Sequence, residues 1–226
     1  MKISLSVDQS FWLELPRFRP GDSLDLAMQW EDGVIGGMKD AWRGELDAGR
    51  EVIVREALRN GLRKVAENDS VTLQYWPTAS IANAVVHVSA AQFAPGEARL
   101  GIPLSDIPYA TQPVTTIFET ETLGRGVEAR YLTPIDTGSP VLLGGVNYLF
   151  ENDFWYVAIG VEPTLPRLIG LMLESLREIV QSIEVVGDPA GQWTRCSGPG
   201  VELPSRGEQW SFDAAGSDQM TAGAGL

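Results

Sequence analysis

A single histidine, His87, and a single cysteine, Cys196, bound the chemistry open to this 226-residue chain. Acid–base, nucleophilic and metal chemistry draw heavily on these two residue types. With one of each, a zinc site built from histidine and cysteine is nearly excluded, and any catalytic triad must pass through His87. His87 shares one face of a strand with Asn83, Val85 and Ser89. That position suits a general base at a pocket rim or, more plainly, a half-exposed sheet residue. Cys196 stands beside Arg195 in a glycine-rich stretch, where a nucleophile is badly positioned, so the reading is an incidental thiol.

Gly21-Asp22-Ser23-Leu24 spells the nucleophile block of the GDSL-type esterases. No histidine follows residue 87 to complete such a site, and Pro20 stands where an apolar strand should end, so a turn or helix cap accounts for the motif. The acid groups Asp22/Asp25 and Glu31/Asp32 lack the ligand spacing of a calcium loop. Neither Lys39 nor Lys64 follows a glycine, which removes a P-loop, and no Gly-x-Gly-x-x-Gly turn opens a helix. The reading therefore assigns no catalytic residue, no cofactor and no metal. If one sheet face is uncovered, Trp76, His87, Tyr148, Phe154 and Tyr156 are the residues that would line a partner or ligand surface.

A formal net charge of −13 argues against nucleic acid, whose phosphates it would repel. The basic residues between Arg50 and Arg63 alternate with Glu51 and Glu56, so they form a mixed face. One cysteine permits no internal disulfide. The N-terminus lacks the pattern of a signal peptide, and no apolar run is long enough to span a membrane. The expectation is a cytoplasmic protein. Fourteen arginines against three lysines point to a GC-rich bacterial genome.

The elements that must position these residues follow from periodicity. A strand opens at Phe11–Leu15 and stops at Pro16. The acidic, glycine-punctuated stretch from Asp22 to Gly37 reads as irregular. Met38, Trp42, Leu46, Ile53, Ala57, Gly61 and Val65 then mark a weaker helix to about residue 48 and a firmer one to 67. The period changes to two in Val71–Tyr75, Ile81–Ala90 and Val114–Glu121. A turn at residues 124–126 leads to Val127–Tyr131, a hairpin whose solvent face carries acids opposite Arg130. A second hairpin joins Val141–Phe150 to Phe154–Val161 and looks central in the sheet. Thr164 is placed to cap a long helix with Pro166 in its first turn and an apolar stripe from Leu165 to Ile183, with Glu174, Arg177 and Glu178 outside. Residues 91–113 form a proline-rich connection, either a lid or a structural excursion. Residues 1–187 read as one domain, and 188–226 as a flexible Gly/Ser/Ala-rich acidic tail.

The segment Phe154-Trp155-Tyr156-Val157-Ala158-Ile159, then Thr164-Leu165-Pro166, then Gln181-Ser182-Ile183-Glu184-Val185-Val186 resembles the end of the Mog1/PsbP-like family. With the opening strand, the resemblance spans residues 11 to 186. It implies a non-enzymatic accessory or binding role around an antiparallel sheet flanked by helices. The same element order also fits the helix-grip (START-like) carriers, whose last helix encloses an apolar cavity. The expectation is thus an α+β fold, a mostly antiparallel sheet with a long C-terminal helix packed on it. The leading function is an interaction protein with an unidentified protein partner, and a homodimer is compatible with it. A carrier of a small apolar ligand is second and a hydrolase third.

Overall fold

The computed structural model describes residues 2–18, 24–77, 80–93, 108–136, 140–186 and 195–197. It has the expected α+β fold. The strands are β1 (Lys2–Ser4), β2 (Trp12–Glu14), β3 (Asp69–Tyr75), β4 (Ala84–Gln92), β5 (Val114–Thr120), β6 (Gly124–Pro134), β7 (Leu142–Glu151), β8 (Trp155–Val161), β9 (Glu184–Val186) and β10 (Cys196–Ser197). The helices are α1 (Leu24–Ala41), α2 (Ala48–Lys64) and α3 (Pro166–Ser182). The main sheet runs β10-β6-β7-β8-β4-β3-β2, with β5 on β6, and is antiparallel except for the β10–β6 pair. β1 and β9 form a separate two-stranded sheet.

α3 lies over one face of this sheet. Leu168, Ile169, Met172, Leu176, Ile179 and Val180 recur at helical spacing and bury against Val86, Val88, Tyr148, Phe150 and Ile159. Thr164 does not cap this helix. Its backbone amide and carbonyl instead pair with Gly144 on β7, and Leu165 stands at the cap position without a side-chain bond. The α1–α2 hairpin covers part of the other face. Gly61 lets α2 approach Gln74 and Leu15, where a Cβ would meet side-chain atoms at 3.1 Å. Ile35, Trp42, Leu46, Val54, Leu58 and Trp76 form the core of that hairpin. Among the described residues no helix is long and apolar enough to cross a membrane.

Three further expectations need correction. The stretch expected to be irregular contains α1, because Ala27, Trp30, Glu31, Val34, Ile35 and Met38 share its inward side while Gly33, Gly36 and Gly37 face out. The helical run from Met38 breaks at residues 42–44, where Arg43 (φ 48) and Gly44 (φ 88) turn the chain through left-handed geometry. That break resets the helical phase, so Val54, Leu58 and Gly61 face inward and Ile53 is exposed. Finally, Glu128 is fully buried instead of solvated, and Arg130 lies opposite Val114. Of the tail, residues 195–197 are described. Cys196 there is a buried strand residue whose amide donates to Leu123. Most of the proline-rich connection and the start of the GDSL motif lie outside the described residues.

Candidate functional site

His87 projects from the middle of β4 on the face opposite α3, level with Thr72 on β3 and Gly160 on β8. Its Nδ1 lies 2.6 Å from Asp69 Oδ2, and its Nε2 lies 3.2 Å from Glu162 Oε1. Both nitrogens donate at once only in the protonated ring. Asp69 is buried, and its Oδ2 also accepts from Thr72 Oγ1 at 2.8 Å and from the Ala66 amide at 3.2 Å. Burial raises the Asp69 carboxyl, but the hydrogen bonds from His87, Thr72 and Ala66 outweigh it and hold the carboxyl below its ordinary range. Lys64, at the end of α2, pairs with Glu162, and burial pushes its ammonium down. Arg17 donates to the Asp69 carbonyl.

This cluster joins five places in the chain: the segment after β2, the end of α2, β3, β4 and the residue after β8. Its geometry differs from a hydrolytic relay. Ser89 Oγ donates to Asp69 at 3.3 Å, and the far nitrogen of His87 faces Glu162 instead of a hydroxyl. No group of three or more His, Cys, Asp or Glu side chains among the described residues is placed to hold a metal ion. The chemistry here is that of a clamp holding α2 to the sheet.

A second polar cluster lies under α3. Glu128 accepts from Arg177 Nε and Nη2 at 2.8 and 2.7 Å and from Tyr148 Oη at 2.9 Å. Arg130 Nε stands 3.4 Å from the same carboxylate. Burial and the adjacent carboxylate push the Tyr148 phenol up. Arg177, expected on the outer side of α3, therefore reaches down past the helix edge to the sheet. A third cluster ties α1 to α2: Arg55 bonds Glu31, Asp32 and Glu51, while Arg59 grips Glu31 through two nitrogens.

The five residues chosen from the sequence do not gather. Trp76 is buried in the hairpin core and Tyr148 in the main core, so both are core residues. His87 and Tyr156 share the face of β4 and β8 opposite α3 but stand apart along it. Tyr156 packs against Phe93 with ring centres 5.4 Å apart, and Phe154 is exposed at the β7–β8 turn. Asp69, Glu162, Glu128 and Arg177 escaped the sequence reading because their partners lie far away in the chain.

The α1–α2 hairpin carries several exposed apolar side chains. Leu24 is 77 % and Val52 65 % exposed, and Leu26, Met28 and Ile53 are also open. Separately, Ser6, Asp8, Trp12, Ser175, Glu178 and Ser182 line a cleft of about 330 Å³ between the N-terminal segment and α3. Comparison with protein-family models, with curated proteins and with solved structures finds no match for this chain.

Proposed function

We propose that this chain is a non-enzymatic interaction protein that receives a protein partner on its α1–α2 hairpin. The observation that carries the reading is the exposed apolar side chains Leu24, Leu26 and Met28 at the start of α1 and Val52 and Ile53 on α2, two helices whose inward faces are already satisfied. Gly33, Gly36 and Gly37 add to it. A Cβ at any of them would meet nothing within 4 Å, so packing inside the chain does not call for glycine. Each costs the helix about 1 kcal/mol relative to alanine. Asp25, Asp40 and Glu56 stand exposed on the same two helices beside exposed Lys39, Arg50, Arg59 and Arg63. The rim is therefore charged and mixed in sign, and the fitting partner has apolar anchors with a mixed polar rim. The Mog1/PsbP-like resemblance implies the same kind of role.

Two further observations favour this reading over its competitors. A helix-grip carrier needs room between α3 and the sheet, where Met172, Leu176, Ile179 and Val180 are fully buried against sheet side chains. A hydrolase of the serine–histidine kind needs a histidine facing a hydroxyl, and His87 faces two carboxylates.

The test compares wild type with the Leu26→Asp/Val52→Asp double variant, each tagged and recovered from its own host after cross-linking. Wild type should retain a stoichiometric protein partner, and the variant should lose it at an unchanged melting temperature. Native mass spectrometry of wild type should show protein masses alone. An adduct of a few hundred daltons released on unfolding, or equal partner recovery by the variant, would overturn the proposal.

A further inference from the structure

The two edges of the main sheet are built differently. β2 has three residues, and Pro16 stands two residues beyond its end, both devices that discourage further pairing. β5 has seven residues, Val114-Thr115-Thr116-Ile117-Phe118-Glu119-Thr120, a length that offers a longer edge, with Pro113 just before its first residue. It contains no lysine, proline or glycine. Its register with β6 runs unbroken from Val114↔Arg130 to Thr120↔Gly124, so no bulge twists it away. Six of the seven residues are β-branched or aromatic, the types that favour extended backbone.

β6 is the strand partner of β5 among the described residues. The Arg195 guanidinium reaches the Thr120 carbonyl at the far end. The strand is held firmly from within. The Phe118 ring lies 5.1 Å from Tyr148 and 6.5 Å from Phe150, both edge-on. Ile117, on the opposite face, is 41 % exposed. A regular edge with a single charge, Glu119, is a template for one more strand.

We propose that the strand it takes is β5 of a second copy, paired antiparallel about a two-fold axis at Ile117. The edge is complementary to itself in that arrangement. Ile117 faces the partner's Ile117, Phe118 faces the partner's Thr116, Glu119 faces the partner's Thr115, and Thr120 faces the partner's Val114. Every pair shares a sheet face, as the pleat requires. Two copies carrying −13 each repel at long range, but the meeting edge holds one acid, Glu119, with Arg125 in register beside it on β6. The two Glu119 side chains end up four residues apart, about 13 Å at strand spacing. A seven-residue strand pair buries less than the about 1,200 Å² of a stable interface, so the dimer is of micromolar strength. Its surface is separate from the hairpin, so it stands independently of the partner reading.

Sedimentation velocity of the full chain over low-micromolar to near-millimolar concentration should show a reversible monomer–dimer equilibrium. Ile117→Lys places like charges opposite each other and should weaken it at least about tenfold. Ile117→Cys should yield a disulfide-linked dimer under mild oxidation, while Val52→Cys, more exposed on α2, should not. A wild-type monomer at every concentration would overturn the proposal. So would a dimer unchanged by Ile117→Lys, or the absence of the Ile117→Cys cross-link. Loss of the partner in the hairpin double variant would leave sedimentation unchanged, which keeps the two tests apart.

Discussion

Replacing His87 by alanine separates a clamp from a catalyst. The substitution removes the 2.6 Å bond to buried Asp69 and the 3.2 Å contact with Glu162. A hydrogen bond to a charged group contributes about 1.5–3 kcal/mol. The Glu162 contact is half-exposed and keeps Lys64, so it adds no more than about 1 kcal/mol. The expected cost is therefore about 2–3.5 kcal/mol, or a melting temperature about 5–10 °C lower for a chain of this size. Urea denaturation with an unchanged m-value is the assay. The pH dependence follows from Asp69, whose carboxyl is depressed in the fold. Such a group contributes stability fully above its unfolded value, about 3.9, and loses it as pH falls through the lower folded value. Without His87 the depression shrinks, so the gap between wild type and variant should be wide near neutrality and close below about pH 4. Partner capture and self-association should survive at temperatures where the variant is folded. Wild-type stability combined with lost partner binding would refute the clamp and make His87 a functional group.

Arg177→Met leaves the buried Glu128 carboxylate with Tyr148 and the more distant Arg130, and should cost about 3–5 kcal/mol in urea titration. Adding Glu128→Gln should recover part of that loss, which a double-mutant cycle reads directly. Gly145→Ala sets a methyl group into the Tyr131 ring, which lies across that glycine, and should lower stability by about 1–3 kcal/mol. Tyr131→Leu in the same chain should restore part of it, as a melting curve would show. Gly124→Ala adds a side chain at φ +84 against the Cys196 backbone. It should release residues 195–197 from β6, measurable as faster modification of the Cys196 thiol.

The parts of the fold legible in the sequence are those whose burial is repetitive. The stripe of α3 repeats over 17 residues, and apolar residues alternate along β3, β4 and β8, so their faces could be assigned before any contact was known. α1 was hidden because three glycines lower its propensity, while its inward side is completed by a charge. Glu31 sits there because Arg55 and Arg59, more than twenty residues away, neutralise it. Glu128 misled for a related reason. Alternation places it on the Phe118 side of the β5–β6 hairpin, and only Arg177 on α3 makes that side habitable for a carboxylate.

The candidate sites were less legible because the chain draws its cations inward. Arg55, Arg59, Arg130 and Arg177 all stand against buried or half-buried acids, and Arg17 and Lys64 serve the His87 clamp. A chain short of positive charge that commits so much of it to internal joints leaves an acidic exterior. Long-range attraction from the whole chain, which carries a net charge of −13, then favours basic partners. It opposes self-association everywhere except where acids are sparse, and β5 is such a place. Added salt therefore pulls the two interactions in opposite directions. It should weaken capture of a basic partner on the hairpin and strengthen pairing of two acidic copies along β5.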